Sequence, residues 1–546
     1  MSELNYINSK KNIILYLGLI LTLGLSLRFY YLPYDVPIAT DGFHSFVYAA
    51  KTVFEGNLPV GYGTTNSGWA NFLALFFSLS DTSDPFYLMQ IQRSLSIVLS
   101  TITIIPAFFI FRKFVNIRWA LFGCLLLIIE PRLLMSSLEG INYQLFFLLF
   151  VLAIALFLTK TKLTLFLSFG CIACATLVRY EGLLLLIPLS TMYFLKFKDK
   201  KSVVKFLGMI FIVIIILAPI SVLRIQATEN LCYETSFGVR CGSDGFTHNI
   251  LVGQRFLSHT LNAALGQEVS ETAIDLFNEK TDNYAVLFVN KIIVSFSALL
   301  KFIGLALIPY FAFFVLYNII LRIKNKKSIK LDWDKKMIVF TASIMFLPAL
   351  YAYMRGIEEI RYVLIIIPLV CILSISWTNS ISEKISKNLG VIIILMVLVL
   401  ISSIIFIEFE KRDSIHDRES FLISQKIVEL TNMTNSFHQS GYVKTAVLSS
   451  SWPVLPEASQ NGKPIHVFQK VSTNDYDDLA EFIIDSRKYD LRYLVVDEDN
   501  ELFAALRINP TVYPYLIKIF DSDEVGYKNH FMIYEIDYKL VGDNDK

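Results

Sequence analysis

A chain of 546 residues that is 54% hydrophobic and only 18% charged, with a mean hydropathy of +0.54, is too apolar for a soluble enzyme and has the composition of a polytopic membrane protein. The formal net charge of +2 hides an asymmetry: residues 410–546 hold 23 acids against 15 bases, net −8, which leaves +10 on the part before them. Two differently solvated portions are expected, a transmembrane domain over 1–408 and a water-soluble α/β domain over 409–546, with no nucleic-acid partner.

In chain order, the first apolar segment, Ile13 to Tyr31, is longer than a signal-peptide core and lacks a small-residue cleavage site, so it reads as a retained signal anchor. Runs long enough to cross about 30 Å of hydrocarbon, roughly 20 residues each, fall at 12–32, 94–111, 119–136, 141–158, 163–178, 182–196, 203–223, 302–321, 337–354, 362–377 and 389–407, which predicts eleven crossings. Lys and Arg collect in alternate short loops: Arg112/Lys113/Arg118, Lys160/Lys162, Lys196 to Lys205, Arg322 to Lys336 and Lys384/Lys387. Positively charged short loops stay in the cytoplasm. An integral plasma-membrane protein with a cytoplasmic N-terminus follows, and the acidic tail becomes extracytoplasmic.

That orientation sends 33–93, 132–140, 179–181 with 224–300, and 355–361 to the external face. The first of these loops carries two amphipathic helical patterns, Phe43 to Phe54 and Trp69 to Leu79, separated by glycine-rich turn signals. The 224–300 loop holds Cys232 and Cys241 around Phe237-Gly238, a spacing that fits a hairpin disulfide on an oxidising side. Cys124, Cys171, Cys174 and Cys371 lie inside apolar runs and read as small packing residues. The tail has β-rich runs at Val443–Leu448, Ile465–Lys470, Tyr493–Asp497, Leu516–Phe520 and His530–Ile536 and a helical pattern at Asp475–Arg487. It contains no Gly-rich phosphate loop, no metal-ligand cluster and no G-x-S-x-G elbow, so the sequence shows no chemistry in it.

The membrane-border residues with unusual charge, Asp41, Glu130, Arg132, Glu139, Arg179, Glu181, Arg355, Glu358, Glu359 and Arg361, all fall on the external side, which points to a site at the outer leaflet. Asp41 leads. A carboxylate at the bilayer border can act as a general base on an acceptor hydroxyl or bind a hard divalent cation such as Mg or Mn, and His44, one turn on, can assist either role. As a bland alternative, Asp41 caps a helix and His44 is a polar anchor. Glu139 is either a second carboxylate of the site or a favourable charge at a helix N-terminus. Arg179 and Glu181 can neutralise each other at the border or offer Arg179 to a ligand. Arg361, with Arg355 as partner or substitute, presents bidentate donors to a phosphate, or snorkels to anionic lipid.

Asp41-Gly42-Phe43-His44, the stretch Ala49-Ala50 to Glu55-Gly56-Asn57-Leu58-Pro59, the segment Pro131 to Glu139, Arg179-Tyr180-Glu181-Gly182-Leu183, and Arg361-Tyr362 with Pro368 together resemble the GT-C superfamily of polytopic glycosyltransferases. The resemblance is to the family that includes protein O-mannosyltransferases, lipid A aminoarabinose transferases and Rgt-type enzymes, and it spans about residues 10–405. It implies an inverting transferase that takes a sugar from a polyprenyl-phosphate donor in the outer leaflet and passes it to a lipid, glycan or protein acceptor, without an organic cofactor. By family position Asp41 is the first-loop acid, Glu139 the second-loop acid and Arg361 a donor-phosphate contact. Many relatives carry a second acid directly after the first, where this chain has Gly42, so a two-carboxylate metal site in this loop is not expected. A lipid-linked oligosaccharide flippase and a membrane-anchored binding protein are the competing classes. Transporters place polar groups near the bilayer midplane, whereas here the apolar runs are nearly free of charge.

Overall fold

The structure is a computed structural model that describes residues 10–34, 38, 40–55, 68–80, 85–198, 200–228, 232–235, 238–241, 293, 297, 332–354, 363–381, 389–410, 415, 418–419, 422–423, 426, 444–445, 469–470, 478–487, 493–496, 503–509 and 511–541. The expected crossing at 302–321, and Arg355 and Arg361, lie outside these residues.

The other apolar runs are helical. They form α1 (Lys10–Tyr30), α4 (Pro85–Ile102) with α5 (Ile104–Phe114), α6 (Ile117–Ile128) with α7 (Pro131–Leu138), α8 (Tyr143–Thr159), α9 (Lys162–Val178), α10 (Leu186–Lys196) after a 3₁₀ turn at Tyr180–Leu185, and α11 (Lys200–Thr228). Further on come α12 (Trp333–Met345), α13 (Leu347–Met354), α14 (Ile367–Ile381) and α15 (Leu389–Glu410). By length and composition, three stretches among the described residues can cross a membrane: Lys11–Tyr30, Tyr87–Phe114 and Lys201–Ile220. The pair α6 and α7, bent by 48°, makes a fourth when counted as one span. Shorter apolar helical stretches of 10–17 residues lie at Gly68–Phe77, Tyr143–Thr159, Lys162–Val178, Leu364–Ile375 and Val397–Glu408, and the runs expected at 119–136 and 337–354 are each broken into two helices. The first loop's helices are α2 (Thr40–Glu55) and α3 (Gly68–Phe77), each starting earlier than its apolar pattern.

The chain divides into two compact units. The first comprises residues 1–32, 58–71 and 93–410. Its helices α8 and α9 are joined at Lys160, whose left-handed φ of 62° closes the turn, and at Thr161, whose side chain accepts from the Thr164 amide. Ser168 Oγ donates to the Ala153 carbonyl at 2.7 Å and locks the pair. Phe146, Phe150, Phe157 and Ile154 are fully buried between neighbours. At the break between α6 and α7, Glu130 caps the new helix by accepting from the Leu133 amide at 2.6 Å, with Pro131 at the first helical position where its missing N–H costs nothing.

The second unit comprises residues 33–57, 72–92 and 411–546. Its first-loop part packs Phe46 against Phe77 at 5.7 Å between ring centroids. Its tail holds a five-stranded mixed sheet of β3 (Lys444–Thr445), β4 (Gln469–Lys470), β5 (Tyr493–Val496), β6 (Leu516–Asp521) and β7 (Met532–Ile536), in the order β4-β3-β5-β7-β6. The β3 pairings with β4 and β5 are parallel and the pairings of β7 are antiparallel. One face buries Leu494, Val496, Met532 and Tyr534 against Phe482, Ile483 and Leu506 of helices α16 (Leu479–Ser486) and α17 (Ala504–Ile508); the other buries Tyr493, Val495 and Ile533 against Ile423. Covering on both faces explains the unbroken apolar run of β5.

Glu419 joins the start of the tail to the β6–β7 turn. Its carboxylate accepts from the amides of Lys528 (2.8 Å) and Asn529 (2.9 Å) and from Asn529 Nδ2 at 2.5 Å, while 7% exposed. Removing it strands two partly buried amides, at about 1–3 kcal/mol. Glu419→Ala should therefore accelerate hydrogen exchange at Lys528 and Asn529 and in β7 of the full-length protein; unchanged protection there would show that the carboxylate is dispensable.

Candidate active site

Asp41 and His44 lie in the first turn of α2, which begins at Thr40. Asp41 is thus one residue inside the helix, and the three-residue spacing places it on one face with His44. Two contacts position this turn: Gln92 Nε2 donates to the Gly42 carbonyl at 2.8 Å, and Phe46, Ala49 and Ala50 bury the opposite stripe of α2. The side chains of Asp41 and His44 lie outside the described residues.

The charged border of the first unit is built around the turn between α9 and the 3₁₀ segment. Arg179 is extended there, with φ −145° and ψ 136°, and its amide still closes α9 on the Ala175 carbonyl at 2.8 Å. Its guanidinium makes a 2.6 Å ion pair with Glu181, donates to Asn142 Oδ1 at 3.1 Å and lies 4.0 Å over the Tyr143 ring. Of the two readings open to Arg179, this geometry is the neutralised pair, reinforced by an aromatic face.

Two close backbone approaches hold the turn. A Cβ on Gly68, the first residue of α3, would meet the Leu177 carbonyl oxygen at 2.4 Å; a Cβ on Gly182 would meet the Thr176 nitrogen at 2.6 Å. Beside Gly68, the fully buried Trp69 donates Nε1 to the carbonyl of Gly140 at 3.1 Å. Gly140 itself has a positive φ of 68°, the conformation that glycine adopts without Cβ strain.

Glu139 departs from the expectation of a charge at the start of a spanning helix. It is the C-cap of α7, with φ −77° and ψ −12°, and α8 begins only at Tyr143, after Asn142. The helix-dipole explanation therefore fails for it, since the C-terminal end of a helix disfavours an acid. The side chain is exposed.

The few charges that lie within the apolar runs include two that are buried. Arg28, inside α1, is 1% exposed, and it donates to the carbonyls of Gly24 (3.2 Å) and Ile128 (2.9 Å) and to Ser100 Oγ (3.1 Å). Glu130 is equally buried. Arg28, Ser100, Thr103, Gln144, Phe147 and Pro368 help line a cavity of ≈ 20 Å³, which has room for a water but not for a sugar. An arginine near the end of an apolar run reads as snorkelling, so sequence reasoning passed over it; the acid-proline step Glu130-Pro131 was the available signal for the helix restart.

Among the described residues the metal-type cluster is Asp521, Asp523 and His530 in the tail. Asp521 already pairs with Lys518 at 2.9 Å and with His530 at 3.2 Å, and it accepts from the Asp523 amide. Burial raises the Asp521 carboxyl, and the hydrogen bond from Lys518, the Asp523 amide and the neighbouring charges outweigh it, leaving it below its ordinary value. An ammonium bonded to the central carboxylate makes this an ion-pair network and a poor fit for a cation.

No protein-family model and no curated protein matches the chain. Solved structures do. The Archaeoglobus fulgidus oligosaccharyltransferase in complex with Zn and sulfate superposes with a TM-score of 0.52 at 12% identity over 88% of this chain and 68% of that one. The oligosaccharyltransferase AglB of the same organism, with an inhibitory peptide and a dolichol-phosphate, gives 0.50 at 10% identity over 90% and 70%. ArnT from Cupriavidus metallidurans, bound to undecaprenyl phosphate, gives 0.49 at 10% identity over 96% and 98%. The two oligosaccharyltransferase matches show that this chain has the GT-C fold.

The packing around the Arg179 turn is tested by adding single methyl groups. Gly68→Ala and Gly182→Ala each force backbone apart, at about 1–3 kcal/mol, and should lower the thermal unfolding midpoint of the detergent-solubilised protein. A midpoint equal to wild type for both would mean that the turn does not depend on these approaches.

Proposed function

We propose that this chain is a membrane glycosyltransferase that takes a sugar from a polyprenyl-phosphate donor at the extracytoplasmic side and transfers it, with inversion, to an acceptor hydroxyl on a lipid, glycan or protein. The observation that carries this reading is the GT-C fold, shared with oligosaccharyltransferases of which one was solved with a dolichol-phosphate. Beside it stands the placement of Asp41 in the first turn of the first-loop helix.

In this reading Asp41 removes the proton from the acceptor hydroxyl as the new glycosidic bond forms and the donor phosphate leaves. His44, on the same face of α2, supports it, and Glu139 is the second-loop acid. Arg361, with Arg355 and Arg179, neutralises the leaving phosphate; for Arg179 this means that the phosphate takes the place of Glu181 on the guanidinium. A divalent cation such as Mg or Mn would find one carboxylate at Asp41 and a glycine next to it, so we give Asp41 the role of base. The Lys-rich loops set the N-terminus inside and the 409–546 domain outside.

Asp41→Asn keeps the shape and removes the base. It should abolish transfer while leaving expression and membrane insertion intact, read as a sugar-bearing product that mass spectrometry finds in cells with the wild-type chain and not with the variant. Normal transfer by the variant would overturn the assignment.

The same orientation puts the β1 (Cys232–Thr235) and β2 (Gly238–Cys241) ribbon outside, and its register sets Cys232 opposite Cys241. Residues directly opposite in an antiparallel pair have Cβ atoms about 4.5–5.5 Å apart, close enough for a disulfide with modest adjustment. A disulfide there should leave both thiols unreactive to maleimide until reductant is added; alkylation without reductant would exclude it.

A further inference from the structure

At the opposite end of the first unit from the Arg179 turn, α9 starts, α10 ends and α12 begins. There the structure gathers charge around one indole. Lys160 Nζ lies 4.5 Å from the centroid of the Trp333 ring and Lys196 Nζ lies 5.8 Å from it, while Phe157 stacks on the ring at 6.0 Å. Both ammonium groups are within cation–π range. Asp334 offsets Lys160 alone, through an ion pair of 2.7 Å. Among the described residues Lys196 has no carboxylate partner.

The backbone at Lys160 adds a second sign. It is the one described non-glycine residue with a positive φ, in a helix-ending position where glycine carries no Cβ penalty. A lysine held in a conformation disfavoured for side chains, with its ammonium over a tryptophan, marks a site where the side chain matters more than the ease of the turn. Apolar side chains stand exposed beside the charges: Leu163 is 69% exposed, Leu195 60% and Val204 71%. Charges at one level and bare apolar surface next to them match a phospholipid, whose headgroup and acyl chains are joined in the same way.

We propose that Lys160, Lys196 and Trp333 form a binding site for the phosphate-bearing headgroup of an anionic phospholipid, with its acyl chains along the exposed apolar side chains of α9, α10 and α11. The headgroup supplies the negative charge that Lys196 lacks. The site is separate from the glycosyl-transfer reading and stands whether or not that reading holds. Positive loops chosen only to set topology would need charge on this side, but no lipid preference and no contribution from these particular lysines.

The test uses the full-length protein in detergent, with native mass spectrometry counting retained phosphatidylglycerol against phosphatidylcholine. The wild type should retain phosphatidylglycerol preferentially, and added salt should weaken that preference. Each lysine near a charged headgroup accounts for about a fivefold change in affinity, so the double variant Lys160→Gln/Lys196→Gln should lose about twenty-fivefold. Lys160→Arg/Lys196→Arg should keep the preference. If the double glutamine variant does not insert, Lys196→Gln decides, since it breaks no ion pair: a drop of about fivefold supports the site, and unchanged affinity overturns it. Equal retention of the two lipids by the wild type would also overturn it. Inorganic phosphate displacing phosphatidylglycerol at equal concentration would show a free-anion site instead of a lipid one.

Discussion

Where a helix breaks inside a packed apolar interior, the carbonyls and amides released at the break must find partners within the protein, because burial takes water away from them. The apolar part of this chain is arranged around that constraint. The break between α6 and α7 releases the Ile128 carbonyl, which Arg28 takes at 2.9 Å, and the Leu133 amide, which Glu130 takes at 2.6 Å. One arginine thereby ties α1 to the end of α6 and, through Ser100, to α4. A charge buried to 1% exposure is costly, and three accepting oxygens around it offset that cost. At the second break, the Arg179 amide still closes α9 and the Gly182 amide donates to the Arg179 carbonyl at 3.0 Å, so the extended residue leaves its neighbours bonded.

The breaks also place the charged border. Because α7 ends at Leu138, Glu139, Gly140 and Asn142 form a turn instead of the start of a span, and Asn142 and Tyr143 can meet Arg179. Gly68 and Gly182 let backbones approach to distances that no side chain would allow, and Trp69 fastens the Gly140 carbonyl. The charge distribution then divides in two: Arg28 and Glu130 are buried and each holds backbone freed at a helix break, while Glu139 remains exposed.

Legibility differs by element for physical reasons. The apolar runs were readable as helices because a segment without polar groups must satisfy its backbone internally. The interruption at Arg179 was readable too, as the turn between two runs, but those at Ile129 and Phe346 were not, since hydropathy averages over a window and a single capping residue leaves it unchanged. The strands of the tail were readable from β-branched and aromatic runs, but the expected Val443–Leu448 strand is Lys444–Thr445 in the described residues, and the helix expected over Asp475–Arg487 is Leu479–Ser486, starting after the Asp478 cap. Arg179 and Glu181 were legible as charges at a border that could pair with each other; the Tyr143 platform and the Asn142 contact were not.

By itself the sequence determined that the chain is dominated by apolar helices, that its positive charge lies in alternate loops, that an acidic α/β-type tail follows, and that Asp41 and His44 share a helical turn. These are properties of composition and of spacing along the chain, and local chemistry is enough to state them. Only the tertiary structure decided that Arg28 is a buried clamp, that Glu139 ends a helix, that Gly68 and Gly182 are points of backbone contact, and that Lys160 and Lys196 share Trp333. The Arg28 clamp, the Gly68 contact and the shared Trp333 each join residues far apart in sequence. Whether a charge is paired, buried or offered to a ligand depends on what the fold brings within about 4 Å of it, where an interaction competes with the loss of water.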